Sequence, residues 1–169
     1  MTRARDVSTP TALVLIKSQV IGTAVSSVTV TDAFSATYDN YYVTITGGSG
    51  SASNRLIMTL GGSTAGYYYG GQSVQWNGTL ATRNGNNVSS FEYAGTMNTA
   101  CVNCQISFFS PFLATKTSVS NTFNYVESGN GGGIIGGFHD SATSYSAFTV
   151  STISGTITGS TIRVYGYRK

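Results

Sequence analysis

At 169 residues the chain has room for one hydrophobic core and not for two, so a single domain is expected. Charged residues make up only 9%, against roughly a quarter in an average soluble protein, while Gly reaches 21, Tyr 11 and Pro only 2, so the surface must be built from Ser, Thr, Asn and Gly. Such a surface offers little repulsion between copies, which suits a component of a fixed assembly; the net charge of +3, drawn from scattered Lys and Arg, does not indicate a nucleic-acid partner.

Residues 1–11 show no hydrophobic alternation, carry Arg3, Arg5 and Asp6, and end in Thr9-Pro10-Thr11, which reads as an extended N-terminal arm outside the folded domain. The apolar run Ala12-Leu-Val-Leu-Ile16 that follows is five residues long and stops at Lys17, too short for the core of a signal peptide or for a membrane span. Membrane insertion is therefore not expected. Synthesis in a reducing cytoplasm is, and with it two cysteines that do not form a structural disulfide.

From residue 12 onward the hydrophobic pattern has a period of two, in runs rich in Val, Ile, Thr, Tyr and Phe, and no apolar stripe of helical spacing is visible. The runs predict strands over Ala12–Ile21, Val25–Thr31, Tyr41–Thr46, Arg55–Leu60, Gly66–Trp76, Ser89–Gly95, Gln105–Phe109, Asn121–Glu127, Phe148–Ser154 and Ser160–Tyr167. Clean alternation in Val28-Thr-Val-Thr31, Tyr42-Val-Thr-Ile-Thr46 and Ile162-Arg-Val-Tyr-Gly-Tyr167 gives each of these strands one dry and one wet face. Residues 12–169 thus form one all-β domain, an antiparallel sandwich. Asn77-Gly78, Asn84-Gly85 and Asn130-Gly131 supply the positive φ of tight hairpins, Gly47-Gly48 and Gly61-Gly62 supply looser turns, and Gly70-Gly71 predicts a bulge or turn inside the strand that holds Tyr67–Tyr69. No fixed-period repeat or heptad pattern is present.

Candidate chemistry is sparse. Cys101-Val-Asn-Cys104 has a metal-site spacing, yet a zinc site takes about four ligands and His139 is the one histidine of the chain; no metal or cofactor is expected. His139-Asp140 follows the glycine-rich Gly131–Gly137, but adjacent strand residues face opposite sides and no Gly-x-Ser-x-Gly elbow supplies a nucleophile, so His139 reads as a turn or surface residue and no catalytic residue is assigned. Gly131–Gly137 lacks the Lys-Ser/Thr ending of a phosphate loop and reads as a β-loop. The six acidic residues are too dispersed to suggest a paired-carboxylate hydrolase. What remains is aromatic: Tyr67, Tyr68, Tyr69 and Trp76 are candidate glycan contacts, with the qualification that Tyr67 and Tyr69 share one strand face and Tyr68 takes the other, so one side of the triplet is buried.

Three segments carry a resemblance: Arg3-Ala-Arg-Asp-Val-Ser8, then Ile21–Phe34 with Tyr38-Asp-Asn-Tyr-Tyr42, and Gly155-Thr-Ile-Thr-Gly-Ser-Thr-Ile-Arg-Val-Tyr-Gly-Tyr167. In these the chain resembles bacteriophage virion structural proteins of the tail-fibre and particle-surface kind. The resemblance implies a jelly-roll-like sandwich, a homotrimer, other virion proteins of the tail or capsid as partners, and an arm in which Arg3, Arg5 and Asp6 attach the domain to the particle. It also implies a virion location after synthesis in the host bacterial cytoplasm, and host-surface carbohydrate as a contact. The alternatives are a capsid cement or decoration protein and, from a different class, a free carbohydrate-binding module or glycan-cleaving enzyme.

Overall fold

The computed structural model describes residues 13–125 and 131–169; the arm with Arg3, Arg5 and Asp6, and the Asn130 of the Asn130-Gly131 turn, lie outside the described residues. Among the described residues there is no helix, and the chain is a succession of strands. The first half holds β1 (Leu13–Val20), β2 (Ser27–Val30), β3 (Asn40–Gly47), the short β4 (Ser49–Gly50), β5 (Asn54–Leu60), β6 (Tyr67–Gln75) and β7 (Leu80–Val88). The second holds β8 (Phe91–Met97), β9 (Val102–Phe109), β10 (Thr117–Tyr125), β11 (Gly131–His139), β12 (Phe148–Thr152), the short β13 (Ile157–Thr158) and β14 (Thr161–Tyr167).

All described pairings are antiparallel. They build a sandwich. The larger layer runs β1-β14-β3-β9-β10-β11-β6-β7 and the smaller β2-β12-β5-β8, with β4 and β13 as a separate two-stranded ribbon. Alternation drives this arrangement: in β3, Tyr41, Val43 and Ile45 are buried, and in β5 Leu56, Met58 and Leu60 are, while the residues between them are only partly covered. Between the layers Phe34, carried by the β2–β3 connection, packs on Phe108 of β9 at 5.4 Å and on Phe148 of β12 at 5.7 Å.

The layers are joined at one strand. One edge of β9 pairs with β3 along its whole length, but the other edge is divided: Val102–Cys104 pair with β8, and Ile106–Phe109 pair with β10. Where β8 peels away stands Gly95, at which a Cβ would lie 2.4 Å from the Asn103 carbonyl oxygen, so no side chain fits. Beyond it Tyr93 adopts φ 57°, and its carbonyl accepts a 2.6 Å hydrogen bond from the Asn121 side chain of β10, a buried amide that replaces the ladder bond lost at the divergence.

Several sequence expectations need correction. Leu80–Val88 is a strand that the pattern did not announce, and Asn84-Gly85 lies within it and makes no turn, whereas Asn77-Gly78 does close the β6–β7 hairpin, with Gly78 at φ 84°. Gly131–Gly137 is not a loop but part of β11. Gly70-Gly71 runs straight through β6, in unbroken register with β11, and the irregularity falls between Tyr67 and Tyr69 against β7.

If Asn121 holds the divergence together, Asn121→Ala should lower unfolding free energy by about 1–3 kcal/mol, the usual cost of a buried unpaired carbonyl. Gly95→Ala should cost more than Asn121→Ala, since its Cβ meets backbone. Urea unfolding followed by circular dichroism measures both; equal, near-zero effects would place the structural hinge elsewhere.

Candidate functional site

Strand geometry splits the aromatic cluster. Tyr67 is fully buried, edge-on to Phe91 of β8 at 4.8 Å, and its hydroxyl accepts the Leu60 N–H at 2.8 Å. Tyr69 is 7% exposed, and burial, with the nearby Glu92 carboxylate adding to it, pushes its phenol well above the usual value of 10. Neither ring can meet a glycan, so the expectation fails for Tyr67 and Tyr69. Tyr68 faces the opposite way, half-buried on the outer side of the large layer, where it stacks on Phe138 of β11 with ring centroids 5.1 Å apart and planes 10° from parallel. Trp76, 78% exposed in the hairpin turn, is eight residues from Tyr68, roughly 26 Å along an extended chain, so the two do not form one surface. Phe138 was missed because only its cross-strand partner, not its own neighbours in sequence, makes it part of an aromatic wall.

The registers of five successive pairings place a single row of residues across the outer face. Starting at the free edge it runs Asn84, Gly70, Gly136, Ser120, Ser107 and Tyr42, on β7, β6, β11, β10, β9 and β3. Except for Tyr42 at its end, the row has small side chains or none. Two positions away on one side stand Phe109, Phe138 and Tyr68; two positions away on the other stand Gln105, Thr122, Ile134 and Gln72. The result is a shallow transverse groove, about 24 Å long over five strand spacings and about 13 Å between wall rows. It deepens into a cleft of about 300 Å³ over Gly70 and Gly136, beside Tyr68 and Phe138, and into another of about 250 Å³ beside Tyr42, Gln105 and Thr122. The Tyr42 hydroxyl donates to Gln105 Oε1 at 3.1 Å, and the Gln105 amide donates to Thr122 Oγ1. No floor or wall residue named carries a charge.

The glycines of these strands have two different causes. On the inner side a Cβ at Gly71 would lie 2.0 Å from the Ile134 carbonyl oxygen and one at Gly137 2.5 Å from that of Tyr68, so close backbone approach excludes any side chain. At Gly70 and Gly136, opposite each other on the outer side, a Cβ would meet nothing within 4 Å, and neither residue has the positive φ that favours glycine. A glycine inside a strand costs about 0.5–1 kcal/mol relative to alanine. Packing gives no reason for that cost here; the open floor is what the two glycines leave behind.

His139 is not at the surface. It is 2% exposed and edge-on to Tyr67 at 4.4 Å. Its Nε2 lies 2.7 Å from Ser63 Oγ and 3.1 Å from the Ala65 carbonyl oxygen, while the Tyr145 hydroxyl is 3.3 Å from Nδ1. The Ala65 carbonyl can only accept, so Nε2 carries the proton and Nδ1 accepts from Tyr145; Ser63 in turn donates to Ala65 O at 3.1 Å. A nitrogen already protonated cannot take a proton from Ser63, and Asp140 turns away to pair with Lys116 at 2.5 Å. The ring ties the Ser63–Gly66 turn to β11 and is not arranged as a serine-activating base. Cys101 is exposed and Cys104 buried, both free, and burial pushes the Cys104 thiol up to about 12. Among the described residues no group of three or more His, Cys, Asp and Glu could hold a metal ion, and no helix is long and apolar enough to cross a membrane.

No protein-family model matches the chain, and no curated protein matches it.

Burial holds the His139 pKa below its usual 6.5, against the opposing pull of the Ala65 carbonyl and Asp140. The unfolded chain therefore binds the proton first as pH falls, so this contribution to stability is complete above about pH 6.5 and is lost as pH drops through the lower folded-state value. The melting temperature should fall as pH drops below about 6.5, and His139→Gln should be less stable at neutral pH but flatter as the solution is acidified. An unchanged slope in the variant would assign the pH dependence to other groups.

Proposed function

We propose that this chain is a non-enzymatic structural protein of a bacteriophage particle, a tail or fibre component that assembles as a homotrimer, is attached through its N-terminal arm, and displays the β-sandwich outward. The observation that carries the reading is the end strand of the large layer, whose outer edge pairs with no other strand among the described residues. β7 is a nine-residue edge strand; its one charged residue, Arg83, directs its Nε to Ser73 at 3.0 Å and its guanidinium over Tyr93 at 4.9 Å, toward the smaller layer and not outward. Beside that edge Val74 and Leu80 face each other across the hairpin, 47% and 57% exposed, with Trp76 at its tip. A free-standing protein guards a sheet edge with outward charge, proline or a cover, and β7 has none of the first two among its residues. An apolar cluster next to an uncharged edge suits burial against further copies of the same chain.

The resemblance of Arg3–Ser8, Ile21–Tyr42 and Gly155–Tyr167 to virion proteins supports placing that assembly on a phage particle. So does the 9% charge content, which a crowded fixed array tolerates better than a dilute free protein does.

Light scattering of the purified chain should give a trimer, and the double variant Val74→Lys/Leu80→Lys a folded monomer that melts somewhat lower for want of association, because both residues are exposed within the subunit. Imaging of labelled chain on the particle should show it on the tail or as projections. A lattice of copies over the capsid would turn the reading to a cement protein. A monomer absent from particles would overturn it.

A further inference from the structure

We propose that the transverse groove on the outer face of the large layer binds a linear, uncharged carbohydrate chain, seated over Gly70 and Gly136 and packed against the Phe138–Tyr68 stack. The inference deepens the display reading, resting on it for the source of the glycan but not for the binding itself.

Three features of the groove's lining select this ligand. The floor is open where no steric or backbone demand calls for glycine, and two such positions lie directly opposite each other on β6 and β11. Open glycines in a sheet are where a ligand can approach the backbone closely. The wall beside them is a pair of parallel aromatic rings, with Phe138 37% exposed, and the C–H face of a pyranose packs on such a surface as a polar peptide or a nucleotide phosphate does not. Beyond the glycines the floor continues as Ser120 and Ser107 to Gln105 and the Tyr42 hydroxyl, neutral donors and acceptors that match sugar hydroxyls.

Charge and length complete the assignment. Lys116 has its Nζ 5.5 Å from the Phe138 ring and is already paired with Asp140, so among the described residues no uncommitted positive charge is recorded over the wall to receive the carboxylate of an acidic sugar. The second cleft, beside Tyr42 and Gln105, lies about three strand spacings from the first, roughly 14 Å, a distance that several linked hexoses span and a single one does not.

Gly136→Val gives a clean test, because the added side chain enters open space in a strand that favours β-branched residues and so should not lower the melting temperature and should leave the oligomeric state unchanged. The full chain is applied to an array of neutral and acidic oligosaccharides of two to eight sugars, and the best neutral binder is titrated by calorimetry. The expected result is preference for neutral chains over acidic ones, tighter binding of longer than of shorter chains, and a loss of about tenfold or more in Gly136→Val and in Phe138→Ala. Preference for acidic chains, binding untouched by Gly136→Val, or no binding to any neutral chain would overturn the inference. So would a change of oligomeric state in Gly136→Val, which would make the groove a contact between copies. Absence of neutral-glycan binding in a chain that is trimeric and found on the tail would sink this inference alone; glycan binding lost in Gly136→Val by a chain absent from particles would sink the virion reading and leave the groove.

Discussion

The divided edge of β9 is the constraint on which the rest of the structure depends. A strand offers one row of donors and acceptors on each side, and β9 gives half of one row to β8 and half to β10. The two layers can only separate there if something takes over the backbone groups that the parting strands leave. Gly95 lets β8 come close enough to Asn103 and Cys104 to pair up to the last residue, and Asn121 then supplies the bond to the Tyr93 carbonyl from within β10. The Arg55 and Arg83 guanidinium groups, 5.0 and 4.9 Å from the Tyr93 ring, pack around the same point, and Arg55 holds Glu92 at 3.0 Å. Charges are scarce in this chain, and several of them are spent where the sheet opens.

The handover sets the outer face. Because β10 continues the edge of β9 in register, the small residues of β9, β10, β11, β6 and β7 fall into one line that ends at Tyr42 of β3; a slip of one residue at any pairing would send the wall residues inward and the core residues out. The groove is therefore a property of the whole layer and not of a loop. Its floor does not depend on loop conformation, which fits recognition of an extended ligand by a preformed surface.

Alternation announced the all-β class and the strands at β3, β5, β12 and β14, where branched and aromatic residues make the pattern unmistakable. It failed at β7 and β11, whose Asn and Gly residues are turn formers by propensity and strand residues by context. Gly133 and Gly137 sit in a strand because backbone from β6 presses against them, and no local pattern can show the approach of a segment sixty residues away. The same limit governed the aromatic cluster: period two divided Tyr67 and Tyr69 from Tyr68, but which side was wet, and that Phe138 completed the wet side, followed only from the β6–β11 register. His139 carried no signal of burial at all, since its partners Ser63 and Ala65 are 76 and 74 residues away in sequence and Tyr145 sits in the connection after β11.

Two apolar features of the surface differ in geometry, and the difference separates their uses. Val74, Leu80 and Trp76 are exposed at a hairpin end, beside a strand edge that pairs with no other strand among the described residues, a feature that another folded surface can cover but that cannot surround a small ligand. Phe138 and Tyr68 stand beside a recessed floor, with hydroxyl and amide groups farther along the same row, a shape that holds a narrow chain and is too shallow to bury much of another protein. The two lie on opposite sides of the Gly70–Gly136 row along the strand direction, so the proposed assembly through the hairpin end would not need to cover the aromatic wall. A low-charge sheet that would be a liability in a free monomer can in this way serve both association and recognition, because the glycines that interrupt its apolar residues keep the two regions from merging into one adhesive face.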